Sequence, residues 1–449
     1  MDERRKRLRL TSAQIIIIGF LGVILLGGLL LCLPCATRGE GRASLLEALF
    51  TATSSVCVTG LVVQNTATYW SAFGQTVILL LIQIGGMGVV TVAVTITMIS
   101  GKKIGLMQRS TMQEAISAHH VGGIVKMTGF ILKTTLLVEL IGAALLAPAF
   151  CRDFGVLRGL WYALFHSVSA FCNAGFDLLG VEQSFVSLTA YAKDPLVNLT
   201  IMALIIVGGI GFLTWEDVIS KKWRLKAYRM QSKVILVMAL VLILLPAVYL
   251  YFCEFSRGAW ANAGAGERAL ASLFQAVTPR TAGFNTVDLN ALSETGQGAL
   301  ILLMLIGGAP GSTAGGMKTT TLAVLISCSV AVFRKRANGH FFGRRIADET
   351  VKNAVTVFLM YITLFLTGGM VISAAEGLPL LTCLFESASA VGTVGLSLGI
   401  TPGLGTLSRL VLIVLMFFGR VGGLTLIFAT LPANRNSAAM LPLEKITVG

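Results

Sequence analysis

Apolar residues gather into eight runs, near residues 13–33, 74–99, 129–150, 196–214, 234–253, 297–333, 353–375 and 406–432. Each approaches or exceeds the roughly 20 residues that a membrane-crossing helix needs. Shorter stretches lie between paired runs, and four share one pattern: LLEALFTATSSVCVTGLVV (45–63), GLWYALFHSVSAFCNAGFDLL (159–179), ALASLFQAVTPRTAGFNTV (269–287) and LLTCLFESASAVGTVGLSL (380–398). Each has a Leu-Phe pair, then Ser, Thr or Ala at helix-compatible positions, then a glycine. The spacing is 10 residues for Phe50–Gly60, Phe165–Gly175 and Phe385–Gly395, and 9 for Phe274–Gly283, where Pro279 intrudes.

This pattern predicts an all-α polytopic membrane protein. Four pseudo-repeats of helix, pore helix with loop, and helix would surround a central pore. The expected divisions are an N-terminal segment at 1–12, repeats at 13–99, 100–219, 220–333 and 334–432, and a tail at 433–449. The second helix of the third repeat is expected to be broken. An even number of spans puts both ends on one side.

About ten helical residues at 1.5 Å each cannot cross roughly 30 Å of hydrocarbon. The short segments must therefore enter the membrane and return. Non-helical backbone survives at that depth only when buried in protein or lining water. Four inward-running helices would aim their C-terminal ends, each about −0.5 charge, at a common axis and favour a cation there. Glycine tolerates φ > 0, which lets carbonyls turn toward that axis and replace an ion's water shell. The candidate filter residues are Val58, Thr59 and Gly60; Asn173, Ala174 and Gly175; Thr281, Ala282 and Gly283; and Thr393, Val394 and Gly395. The competing reading, glycines that only let helices pack closely, is assigned to GGMG at 85–88 and GGIG at 208–211, both read as mid-helix.

Composition sharpens this picture. Of 449 residues, 55% are hydrophobic and 12% charged, with a mean hydropathy of +0.83. Those values exclude a soluble enzyme. The start MDERRKRLRL and the PCA at 34–36 resemble a signal peptide, but the apolar run between them exceeds the 7–15 residues of a signal core. The net charge of +14 is mainly a topology signal. The N-terminus, 100–133, 220–233, 333–352 and the C-terminal tail hold 24 Lys and Arg, and the opposite side holds 9. The richer side is expected to be cytoplasmic, in the plasma membrane. Nucleic-acid binding is excluded, because the charge is dispersed over short loops. Contact with anionic membrane lipid accounts for it as well.

Among the eight cysteines, Cys32 and Cys35 have the CxxC spacing of thiol redox sites. They fall at the end of a helix, whereas a reactive pair favours a helix start. His119 and His120 have no further metal ligands nearby, and His166 is expected to pack. No resident metal or cofactor is expected.

The sixth run is interrupted by GGAPGSTAGG at 307–316. Pro310 and five glycines oppose helix there. The string around Lys318 misses a phosphate-binding loop by one residue and has no preceding strand. An irregular segment at mid-membrane should line a cavity, and its register places it just below the filter. The candidate gate is Gly307, Gly308, Gly311, Ser312, Thr313, Gly315, Gly316 and Lys318, together with Arg420 at the matching step of the fourth repeat. Arg420 could instead be a packing anchor. Charges inside spans, Glu139 included, are costly and should have partners. A tie between Arg280 and Glu386 is expected to brace the filter, and Asp288 and Asn285 are placed at the outer mouth.

The four loops, GGAPGSTAGGMKTTT (307–321) and FFGRVGGLTLIF (417–428) resemble the membrane subunit of Ktr-type systems in the Trk/Ktr/HKT superfamily of potassium transporters. The resemblance covers nearly the whole chain. It implies potassium uptake through a loop-gated filter, a homodimer, and a cytosolic nucleotide-binding (RCK-type) regulatory ring. No segment on the basic side is long enough to supply that ring itself. The alternatives are a sodium-conducting relative, sodium as coupling or activating ion in a symport, and a thiol oxidoreductase using Cys32 and Cys35.

Overall fold

The computed structural model describes residues 10–39, 41–100, 104–116, 123–181, 183–257, 260 and 262–430. The basic start at 1–9, His119–His120 and the 433–449 tail lie outside them. The described chain is mostly helical, as the hydropathy pattern predicts, with a small antiparallel hairpin of β1 (His340–Phe341) and β2 (Arg344–Arg345).

One order of elements occurs four times. Long helix, short helix and interrupted helix run through α1 (Ser12–Leu31), α2 (Leu45–Val56), α3 (Ala72–Met87) and α4 (Val89–Ile99). After a short α5 (Leu106–Ala115) come α6 (Ile124–Phe154), α7 (Val156–Phe171), α8 (Pro195–Gly209) and α9 (Phe212–Lys221). The third set is α10 (Met230–Tyr249), α11 (Ala265–Val277), α12 (Glu294–Met304) and α13 (Thr319–Phe333). The fourth is α14 (Asp348–Glu376), α15 (Leu380–Gly392), α16 (Thr406–Val421) and α17 (Gly423–Thr430).

Local chemistry starts these helices where the sequence changes character. Thr11 with Gln14, and Ser44 with Glu47, form reciprocal capping boxes at α1 and α2, satisfying amides that have no partner within the helix. Asp194 caps α8 with Pro195 at its first turn, a position where the missing N–H costs nothing.

Among the described residues, α1, α6, α10 and α14 are each long and apolar enough to cross a membrane. The other four expected spans are interrupted. α3 meets α4, and α8 meets α9, at bends of 98°. The turning points are Gly88 (φ +86°) and Gly211 (φ +88°), and Gly422 (φ +89°) separates α16 from α17. This corrects the mid-helix reading of GGMG and GGIG, whose last glycines end a helix. The apolar run continues through each glycine, so hydropathy does not register the turn, whereas a residue without Cβ enters φ > 0 at little cost. Only the break between α12 and α13 carried a proline as a warning.

The core centres on the Leu-Phe register. Phe50, Phe165, Phe274 and Phe385 have no exposed surface. The outer surface is apolar instead: Leu25, Leu29, Leu140, Leu245 and Leu359 are all exposed. Burying such side chains against hydrocarbon is favourable by roughly 25 cal/mol per Å² of surface removed from water.

Candidate functional site

The C-terminal ends of α2, α7, α11 and α15 lead directly into loops 1 to 4, which hold the candidate triplets. In each loop two positions adopt left-handed backbone. Val58 and Gly60 have φ of 56° and 89°, and Asn173 and Gly175 have 58° and 68°. Thr281 and Gly283 have 74° and 80°, and Thr393 and Gly395 have 52° and 93°. A non-glycine residue with positive φ is uncommon and costs of order 1 kcal/mol or more. Four at equivalent positions are held there by the surrounding structure.

The glycines interlock. A Cβ on Gly60 would strike the Ala174 carbonyl oxygen and the Gly175 backbone. One on Gly175 would strike Ala282 and Gly283, one on Gly283 would strike Val394 and Gly395, and one on Gly395 would strike Thr59 and Gly60. The four loops thus close a ring in chain order. All eight non-glycine members of the triplets that surround it, from Val58 to Val394, are fully buried.

One hydroxyl ties each loop to its own helix. Ser54 Oγ accepts from Gly60 N at 3.1 Å, and Ser389 Oγ accepts from Gly395 N at 2.9 Å. Ser169 Oγ donates to the Phe176 carbonyl at 2.8 Å, and Thr278 Oγ1 donates to that of Phe284 at 2.5 Å. These residues stand four places after Phe50, Phe165, Phe274 and Phe385. The residue missing from the third copy therefore falls between Thr278 and Gly283, in the loop. Sequence reading saw the Ser/Thr content but not this fixed offset, which was available.

On the α-helical side of the ring, the segment between α12 and α13 crosses as an irregular loop. Backbone where α8 meets α9 pins one flank: Ala309 N donates to Gly209 O at 2.9 Å, Thr313 N to Gly208 O at 3.3 Å, and Phe212 N to Gly311 O at 2.8 Å. Thr313 Oγ1 donates to Phe171 O at 3.0 Å, at the base of loop 2. The other flank meets the fourth set, where Gly316 N donates to Gly419 O at 3.0 Å. Gly315 lies so close to the Thr393 side chain that any Cβ would clash. Lys318 Nζ donates to Ala314 O at 2.8 Å, and Ser312 Oγ donates to Ala309 O at 2.7 Å. Gly307 N and Thr319 N close the loop's neck on Met317 O and Gly308 O.

Arg420 completes this arrangement. Its guanidinium donates to the carbonyls of Thr313, Gly85 and Gly86. One side chain therefore joins the crossing loop to the end of α3. Five donors in a planar fork suit such a cluster of carbonyls. Glu139 has the partner its depth demands: Gln83 Nε2 donates to it at 3.2 Å.

The expected tie between Arg280 and Glu386 does not form. Glu386 accepts from Ser397 Oγ (2.6 Å), Leu398 N (3.0 Å) and Thr401 Oγ1 (2.7 Å), all of loop 4. Three local donors satisfy the carboxylate without a cation. Arg280 is buried, and its Nε has no hydrogen-bond partner. In the same slot of α7, His166 joins the Tyr162 carbonyl (2.7 Å) to the Leu178 amide (3.4 Å), so it packs as expected and also holds loop 2.

Beyond the ring, on the side opposite the crossing loop, lies a chamber of about 160 Å³. Its floor includes Gly60, Gly175, Gly283 and Gly395, and its wall includes Asn285, Asp288 and Asp177. Asn285 and Asp288 were expected there; Asp177 was not. Its carboxylate accepts from the Leu179 amide at 3.0 Å.

Among the described residues, no group of three or more His, Cys, Asp or Glu is placed to hold a metal. Cys32 caps the C-terminus of α1, and Cys35 is exposed.

An apolar exterior, four helix ends converging on a backbone ring, and a loop crossing beneath it define a polytopic membrane transport protein. The sequence matches the TrkH family, described as cation transport protein, over residues 13–438, and the chain belongs to that family. It is 40% identical to the potassium/sodium uptake protein NtpJ of Enterococcus hirae, over 100% of this chain and 99% of that protein. It is 39% identical to the Ktr system potassium uptake protein B of Bacillus subtilis, over 95% of each. The fold matches the potassium transporter TrkH of Vibrio parahaemolyticus with a TM-score of 0.73 at 20% identity, covering 96% of this chain and 87% of that one. The Ktr-type resemblance read from the motifs therefore holds. The chain is an ion transporter and not an enzyme, which removes the thiol oxidoreductase reading.

Proposed function

We propose that this chain takes up potassium across the plasma membrane through the ring at Gly60, Gly175, Gly283 and Gly395. The observation that carries the reading is the closed interlock of the four glycines, with a left-handed residue two places before each. Left-handed backbone on both sides of the middle residue turns successive carbonyls to one side, where they can replace an ion's hydration shell. The helix ends behind the ring add negative potential.

The crossing loop, with Arg420, is the gate. It lies against the inner ends of loops 2 and 4, and a guanidinium there repels cations. The four sets of elements act as repeats with the divisions 13–99, 100–219, 220–333 and 334–432, around one pore per chain. Both termini and the Lys- and Arg-rich segments face the cytoplasm. The chain acts as a homodimer under a cytosolic nucleotide-binding ring, a reading supported by relatives named as parts of a Ktr system.

Sodium has a specific claim as a second transported or coupling ion, because one full-length relative is named a potassium/sodium uptake protein. Expression in cells lacking potassium uptake tests the reading. Growth at low external potassium supports it. Growth rescue confined to sodium-dependent conditions favours coupling, and no potassium accumulation overturns it.

A further inference from the structure

We propose that Asp177 makes the chamber above the ring a capture site for the incoming alkali cation, one that sets the apparent affinity for uptake. This rests on the pore reading above. The chamber stands directly on the four ring glycines, so an ion must pass through it to reach them. Asp177 follows the loop 2 glycine by two residues, which fixes its carboxylate to the same backbone that forms the ring.

Among the described residues, Asp177 and Asp288 are the ionisable side chains lining the chamber. They hold different positions in the chemistry. Asp288 Oδ1 is taken by Asn290, accepting from its amide at 2.9 Å and its side chain at 3.3 Å. Asp177 accepts from the backbone amides of Leu179 (3.0 Å) and Gly180 and has no cationic partner among the described residues. The other titratable groups of the surrounding loops lie behind the walls: His166 is engaged by Tyr162 and Leu178, Glu386 by its own loop, and Arg280 is buried outside the lining. A half-buried carboxylate with no cation beside it attracts a cation more strongly than one in open water, because screening is weaker there.

The test is rubidium or potassium uptake by the full chain in cells lacking other uptake, with initial rates read against external concentration. Asp177→Asn keeps an oxygen for the Leu179 amide, so the turn is retained while the charge goes. We expect a rise in KM of about fivefold or more, since one unit charge about 4 Å away is worth about 1 kcal/mol even at the dielectric constant of water, with kcat for uptake little changed. Asp177→Glu should stay near wild type. A residue that merely shapes the turn gives wild-type KM in Asp177→Asn, which overturns the inference. Should that variant fail to insert, Asp177→Ser, whose hydroxyl can still accept from the Leu179 amide, takes its place, and a wild-type KM there overturns the inference alike. Absence of any uptake by the wild type sinks the pore reading itself.

Discussion

Arg420 in α16 donates to the backbone carbonyl of Thr313, 107 residues away in the chain, and with a second nitrogen reaches Gly85 and Gly86. The contact fixes an irregular loop to two rigid helix ends. Hydrogen bonds from a charged donor contribute about 1.5–3 kcal/mol each. Arg420→Ala should therefore release the loop, and every 1.4 kcal/mol lost shifts the closed–open balance about tenfold. We expect raised basal potassium flux and weaker dependence on a regulatory partner. Uptake in partner-free cells, normalised to membrane protein, decides this; flux at or below wild type contradicts it and favours the packing-anchor role.

Thr313→Val removes the hydroxyl that reaches Phe171 O at 3.0 Å while keeping the side chain's volume. The loss of one neutral hydrogen bond, about 1 kcal/mol, should raise basal flux less than Arg420→Ala. The two changes act on one loop, so the double variant should fall short of the product of the single effects. Full multiplicativity would mean that the two contacts hold separate structures.

Gly60→Ser places a Cβ against the Ala174 carbonyl and the Gly175 backbone at a φ of 89°. The ring must shift where it was tightest. Protein should still insert, with reduced preference for potassium over sodium. Competition between the two ions in tracer uptake provides the measure, and an unaltered ratio would remove loop 1 from the filter.

Ser389→Ala leaves the Gly395 amide, half-buried at the chamber floor, without the 2.9 Å acceptor. The lost hydrogen bond costs about 1 kcal/mol. Loop 4 should loosen, broadening ion preference at nearly normal expression. Ser389→Thr restores the oxygen and should recover most of the selectivity; failure of that rescue would point to packing rather than the hydrogen bond.

The sequence made the chain of Phe, hydroxyl and glycine legible because all three belong to one rigid local unit. Each repeat carries its own copy, and comparison within the chain is enough to find it. The loop between α12 and α13 was legible for a similar reason, since Pro310 and its glycines contradict the apolar run around them. Gly88, Gly211 and Gly422 were not. Their turns leave hydropathy untouched, and a glycine that packs in a helix looks the same as one that ends it. The supposed Arg280–Glu386 pair failed on another ground: opposite charges in neighbouring copies suggested a partner, whereas Ser397 and Thr401, in the loop just ahead of Glu386, already occupied it.

The ring glycines lean on one another in chain order, and all four are encoded in a single polypeptide. A channel assembled from four identical subunits must accept any change fourfold. On the proposed filter reading, a codon here alters one quarter of the aperture and leaves three untouched, so selection can adjust ionic preference in small, asymmetric increments. The shorter third loop, with Pro279 and Arg280 where the others have neither, is the mark such quarter-by-quarter tuning would leave.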